Sequence, residues 1–301
     1  MDVSEAKDAI HSLLGRVSPR ALPKVIQWMR TSSEIEELTT SNSDILLHNI
    51  ADSLRNHLPL EAMVLSEDLA IENIQRLQKP TLHVDAFLYN DDTIDSLCEE
   101  GKMSRNYCMS CGSTKTAPLD FLSHSFSILE LKFLFHNVIP DLSGKTLLDV
   151  GSRLGAVLYA GYVYSSASKL EGVEINAEFC NLQEKIINKY NFSDRIQVHH
   201  SDICSQKSLL QQADVVVLNN VFEYFLKKEE QIKAWIFIYE NLRKKGCLVV
   251  TVPSLQESFN KLQVNLQLSQ WAEEVEVDTD IFLGPDTDQE ALSDIHLYRV
   301  L

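Results

Sequence analysis

The stretch KTLLDVGSRLGAVLYAGYVYSSASKLEGVEINAE, Lys145 to Glu178, decides the fold. It opens on Thr146-Leu147-Leu148-Asp149-Val150, an apolar run short and branched enough for a buried parallel strand. Gly151 and Gly155 then bracket Ser152, Arg153 and Leu154. Ala156 to Ala167 is apolar and free of proline, which predicts a crossover helix. Leu170 to Ile175 predicts a second strand, with Glu174 at its tip. Strand, glycine turn, helix, strand and acid make a βαβ nucleotide-binding half. Gly151 permits the sharp turn, and Gly155 allows a ligand to approach the helix start, where backbone N–H groups are unpaired. Glu174 stands where a carboxylate can accept hydrogen bonds from both ribose hydroxyls.

The turn is not the G-x-G-x-x-G of a dinucleotide fingerprint, because Arg153 stands at the middle glycine. A pyrophosphate would be repelled by Asp149, whereas a ligand bearing an ammonium group would be attracted. In Asp149, Gly151 and Gly155 the chain resembles the class I S-adenosylmethionine-dependent methyltransferases, whose first motif is acid-x-Gly-x-Gly-x-Gly; Arg153 departs from it. The resemblance covers roughly residues 119 to 301. It implies a doubly wound α/β sheet of seven strands in the order 3-2-1-4-5-7-6, with S-adenosylmethionine as cofactor. By the same resemblance Asp149 holds the amino-acid end and Glu174 the ribose. Asp202 meets the adenine amine, and the N–H of Ile203 meets a ring nitrogen. Ser152, Ile175 and Asn219 complete the expected cofactor set. A bland reading of Asp202 as a turn cap stands beside its cofactor role.

Ala213 to Leu218 predicts the buried fourth strand, followed by Asn219-Asn220-Val221-Phe222-Glu223-Tyr224-Phe225, where the family places the group facing the transferred methyl. The double asparagine resembles the turn of the non-SET histone lysine methyltransferases, and the tail resembles the Val-Leu-Glu-His-Phe of small-molecule methyltransferases. Asn220 and Glu223 are therefore the candidate catalytic residues. Glu223 is placed to orient or deprotonate an amine, or simply to begin the next helix. Cys247 to Pro253 predicts the fifth strand, Phe259 to Trp271 a helix, and Glu274 to Val277 with His296 to Leu301 the closing hairpin.

Upstream, residues 1–85 read as a helical accessory region, with apolar stripes over Ile45 to Leu58 and Leu65 to Leu77 and a stop at Lys79-Pro80. Residues 86–118 read as a connecting segment, and 119–301 as the methyltransferase domain, entered by a helix within Leu119 to Val138. Thr81 to Tyr89 predicts a strand. His124 and Ser125 are either lining groups of the site or a surface helix start. In the connecting segment, Cys108 and Cys111 form a C-x-x-C knuckle, half of a zinc ribbon. Cys98, His124 and His136 are the nearest further ligands, and a metal-free loop or reduced pair is the other reading.

The chain of 301 residues is 45% apolar and 23% charged, as globular proteins are. Its net charge of −16 argues against a phosphate-tracking surface, so a nucleic-acid substrate is not expected. The one dense basic cluster, Arg243-Lys244-Lys245, precedes the fifth strand and so lies at the edge of a parallel sheet away from the cofactor. A protein side chain or a small molecule is the expected methyl acceptor. Six irregularly spaced cysteines do not make a secreted disulfide framework, and no stretch reaches membrane-spanning length. Cytoplasm, with the nucleus as the other choice, is the expected compartment. A cofactor-binding but catalytically weak or inactive fold serving as an interaction scaffold is the alternative function, supported by Arg153.

Overall fold

The computed structural model describes residues 3–32, 42–60, 62–76, 80–110, 112–281, 283–284 and 287–301. Cys111, Leu77 and Lys79 lie outside them, so half of the C-x-x-C knuckle and the expected Lys79-Pro80 stop are not described. The chain divides into two compact units, Met1–Asn42 and Ser43–Leu301. The smaller holds the helices Val3–Gly15 and Leu22–Thr31. The expected boundary at residue 85 falls inside the larger unit, which includes the helices Asn42–Arg55, from Ser43 onward, and Asp68–Gln75.

Short strands lead into the core of the larger unit. β1 (Thr81–His83) pairs in parallel with β4 (Asp120–Leu122), and β2 (Asn106–Cys108) pairs antiparallel with β3 (Thr116–Pro118). β1 stops earlier than its sequence suggested. Asp85 accepts the N–H groups of Phe87 (3.1 Å) and Leu88 (3.3 Å), and this local turn replaces a further strand ladder. The single helix expected within Leu119 to Val138 is instead β4, a loop, the helix Ile128–Phe133 and a π-helical turn, Leu134–Val138. Ser127 and Glu130 set the start with a reciprocal capping box.

The main sheet has seven strands: β5 (Thr146–Val150), β6 (Lys169–Glu174), β7 (Ile196–His200), β8 (Val215–Asn219), β9 (Leu248–Val252), β10 (Ala272–Val275) and β11 (His296–Val300). Their order is β10-β11-β9-β8-β5-β6-β7, with β11 antiparallel to both β9 and β10 and the other pairs parallel. Numbered from β5, that is 3-2-1-4-5-7-6, the expected order. β5, β8 and β9 are buried almost end to end, as continuous Val/Leu runs require when helices cover both faces. The helix Ala156–Tyr164 is buried from Ala156 through Gly161, so it packs as a core layer rather than an amphipathic surface helix. Asn176 caps the helix Ala177–Tyr190 through the N–H of Glu178 (2.8 Å), and Asn191 ends it in the left-handed conformation. The expected helix from Phe259 to Trp271 is split into Leu255–Leu262 and Leu268–Trp271, because Gln263 turns left-handed and closes the first piece.

No helix among the described residues is long and apolar enough to cross a membrane.

Candidate functional site

The carboxyl ends of β5, β6, β7 and β8 share one edge of the sheet, and the glycine turn folds across the first two. Gly151 and Ser152 both donate backbone N–H bonds to the carbonyl of Val173 (2.8 and 3.1 Å). Gly151 has φ +72°, and a Cβ there would collide with the Val221 side chain; Gly155 has φ +82°, and a Cβ would lie 2.7 Å from Tyr159. Neither position admits a side chain without movement. Turn, β6 tip and β8 turn thus meet at one edge of the sheet.

Glu174 ends β6 at 6% exposure. One of its oxygens accepts the N–H of Arg153 and the other that of Asn176, each at 2.8 Å. A carboxylate has about four acceptor positions, so two remain for other donors. Burial raises the Glu174 pKa, while these N–H groups and the Arg153 cation oppose the rise. Asp149 lies buried in β5, and burial together with the neighbouring Glu174 charge pushes its carboxyl up to about 8. It is therefore protonated at neutral pH until a cation arrives beside it. Ser152 is buried with its hydroxyl oxygen unpartnered. Ile175 is 64% exposed at the β6 tip.

Asp202 follows β7 on the same edge, exposed, and accepts the N–H of Cys204 (2.8 Å), so the turn-cap reading describes its local bond. The adjoining Ile203 is buried. β7 stays registered to β6 through the Ser201 N–H, which donates to the Glu174 carbonyl (2.9 Å). His199 reaches Glu171 (2.7 Å) and belongs to β7.

At the end of β8, Asn219 donates its side-chain amide to the His124 carbonyl (3.3 Å). Asn220 is left-handed, with its N–H on the Val252 carbonyl (2.7 Å) and its side chain on Asn219 (3.2 Å). Glu223 does not begin the next helix, which starts at Lys228; it sits in the intervening turn and pairs with Lys261. Beneath that turn is a narrow cavity of about 30 Å³, lined among others by Asn220, Glu223, Thr251, Pro253 and Lys261. The Thr251 hydroxyl is buried there without a partner.

Sequence reasoning missed the polar cluster behind the glycine turn. Arg153, 7% exposed and left-handed at φ +44°, sends its guanidinium into the protein. It binds Glu67 (3.2 and 3.3 Å), Asp85 (3.2 Å) and the Ala62 carbonyl (2.7 Å), over the Phe179 ring. Asp85, fully buried, also accepts from Ser125 (2.7 Å). Burial raises its pKa, and Arg153 opposes the rise. His124 packs against His83, Tyr224 and Phe225, with ring centroids 4.8 to 5.0 Å apart. Both its ring nitrogens are buried and unpartnered, and burial, with the Arg153 charge, holds its pKa well below the usual histidine range. The helix Asp68–Gln75 reaches the same turn, where Asn73 donates to the Tyr224 carbonyl (3.0 Å). The only hint in the sequence was that an arginine in a glycine turn must go somewhere.

Among the described residues no group of three or more His, Cys, Asp or Glu side chains is arranged to hold a metal ion. Cys108 is exposed in β2, with its thiol on the carbonyls of Ser110 and Ser113. His124 and His136 are engaged instead in ring contacts, His136 with Tyr164. The zinc expectation gains no support there.

No family model and no curated relative matches the chain. Among solved structures it is similar to a candidate S-adenosyl-L-methionine-dependent methyltransferase of Methanococcus maripaludis, at 20% identity and TM-score 0.33, over 45% of this chain and 59% of that one. It is also similar to an RNA methyltransferase of Salinibacter ruber in complex with S-adenosyl-L-homocysteine, at 17% identity and TM-score 0.33, over 52% and 78%. A candidate rRNA methylase of Clostridium thermocellum is similar at 10% identity and TM-score 0.38, over 57% and 93%. The strand order speaks more directly than these distant likenesses. With its reversed β11 between β9 and β10 and a glycine turn between β5 and its crossover helix, the chain has the seven-stranded, doubly wound α/β sheet in the order that its sequence implied.

Proposed function

We propose that the protein is an S-adenosylmethionine-dependent methyltransferase acting on a protein side chain or a small molecule. One observation carries the reading: Asp149, Glu174 and Asp202 stand at or just beyond the ends of three neighbouring parallel strands, on the edge where the glycine turn lies. The donor set suits the cofactor. Asp149, held protonated by burial and the Glu174 charge, ionises when an ammonium group lies beside it. The unpartnered Ser152 hydroxyl offers a further polar contact. Glu174 keeps acceptor positions for ribose hydroxyls. Asp202, exposed beside the buried Ile203, keeps one oxygen for an exocyclic amine.

When bound, S-adenosylmethionine supplies an electrophilic methyl carbon on a sulfonium that is its own leaving group. The chain has then only to hold an acceptor in line and exclude water. Asn219 and Asn220 end β8 on the same edge, and Asn220 and Glu223 line the cavity near Thr251, where an incoming amine would compete with Lys261 for Glu223. No covalent intermediate on the enzyme is required. A nucleic-acid acceptor fits less well, since Arg243, Lys244 and Lys245 precede β9 at the opposite edge. Incubating the protein with methyl-labelled cofactor and one extract, then separating protein from small metabolites, tests the acceptor class. Label found only in RNA would contradict it.

A second reading, a binding scaffold without turnover, is favoured by the Arg153 side chain, which ties the turn to Glu67 and Asp85. Cofactor binding with no methyl transfer to any fraction would select it.

A further inference from the structure

The basic run Arg243-Lys244-Lys245 has no part in the chemistry above, yet two of its members do not stand alone. At the edge of the sheet opposite the glycine turn, Lys244 and Lys245 meet Lys145, which precedes β5, and Arg299 from β11 around a cavity of about 210 Å³. One bound water needs roughly 10–15 Å³ of such space, so this one has room for a small molecule. Three separate parts of the chain bring four cations to one cavity in a protein of net charge −16.

We propose that this pocket binds a small phosphate-bearing anion. Its one carboxylate, Asp214, is already committed: one oxygen accepts the Lys244 ammonium (2.7 Å) and the other the Thr146 N–H (2.9 Å). Lys244 also donates to the Gln212 carbonyl (2.9 Å), which leaves its third N–H free to serve a ligand. Arg299 makes a half-exposed pair with Glu273 (3.3 Å) at the rim. The Lys145 and Lys245 ammonium groups make no hydrogen bond or ion pair among the described residues, although the carboxylates of the exposed Asp141 and of Asp214 both feel the Lys145 charge. The local balance is therefore cationic, and compact ammonium groups on flexible stems suit phosphate as point charges. The acids of the glycine-turn edge lie a five-residue strand away, about 16 Å at 3.3 Å per residue.

The run contains its own control. Arg243 stacks on Tyr239, 4.3 Å from the ring centroid, and does not line the cavity. Titration calorimetry of the full chain with pyrophosphate should give saturable binding, with Kd of about 0.1–1 mM, and inorganic phosphate should bind more weakly. Lys145→Glu with Lys245→Glu should weaken pyrophosphate at least about tenfold, while Arg243→Glu changes it less than about twofold. Unchanged thermal midpoints in both variants would show that folding is intact. Absence of saturable binding up to about 20 mM pyrophosphate would overturn the site. So would equal losses in the Arg243→Glu variant, which would indicate the general field, or citrate binding as tightly as pyrophosphate, which would remove the phosphate class. None of these outcomes depends on methyl transfer.

Discussion

The two edges of the main sheet solve opposite electrostatic problems. At the carboxyl edge, acids dominate and are buried: Glu67, Asp85 and Glu174 bind the one cation Arg153, and Asp149 lies beside Glu174. At the other edge, cations dominate and stay wet: Lys145, Lys244, Lys245 and Arg299 surround one committed carboxylate, Asp214. A buried charge costs several kcal/mol unless it is paired and hydrogen-bonded, while an exposed one costs almost nothing. The carboxyl edge therefore stores free energy that only a partner can relieve. Part of it is relieved internally, by Arg153. The rest lies in Ser152 and His124, whose polar atoms have no internal partner, and in Asp149, which burial holds protonated, and that is where a ligand would be worth most.

The comparison breaks first, and hardest, at Arg153. Arg153→Met leaves Glu67 and Asp85 facing each other without their cation, and should lower unfolding free energy by about 3–5 kcal/mol in denaturant titrations. Lys245→Glu on the other edge should change it by less than about 0.5 kcal/mol. A small loss at Arg153 would mean that its pairs are not buried as described. Gly155→Ala tests the turn itself. It forces a Cβ into a left-handed residue 2.7 Å from Tyr159, and should cost about 1–3 kcal/mol of stability. A neutral result would show that the turn has room.

Asp149 sharpens the contrast through pH. Its folded pKa, about 8, lies above its unfolded one near 3.8. The unfolded chain therefore releases this proton in a range where the folded chain keeps it. The contribution to stability is fully present below about pH 4 and is lost as pH rises toward 8. Asp149→Asn should flatten that part of the stability–pH curve, read from thermal midpoints across pH 5 to 8. An unchanged curve would place the titrating group elsewhere.

The sheet was legible because each parallel strand is an apolar run of fixed length and the glycine turn has its own chemistry. β5, β6, β8 and β9 needed nothing beyond residues 145–253 to be read. The acids Asp149 and Glu174 were legible for the same reason, as strand ends. Arg153 was legible only as a departure, since its partners lie 86 and 68 residues away in sequence and no local pattern announces them. His124 was ambiguous between surface and site because burial by Tyr224 and Phe225 is a tertiary fact. β1 and the region from 119 to 138 were misjudged where side-chain caps, Asp85 on the backbone and Ser127 with Glu130, overrode apolar spacing. Lys145 and Arg299 sit far from the basic run in sequence, so the second pocket had no linear signature.

The most direct measurement is calorimetric titration of S-adenosylmethionine into the full chain at pH 7, repeated in buffers of different ionisation enthalpy. A cofactor site at the carboxyl edge should give saturable binding with net proton release, because an ammonium group beside Asp149 drives off the proton that burial retains. Binding should also be weaker by about 1–3 kcal/mol in Glu174→Ala, from the loss of buried hydrogen bonds. No binding heat with the wild-type chain, or binding that neither releases a proton nor responds to Glu174→Ala, would contradict such a site.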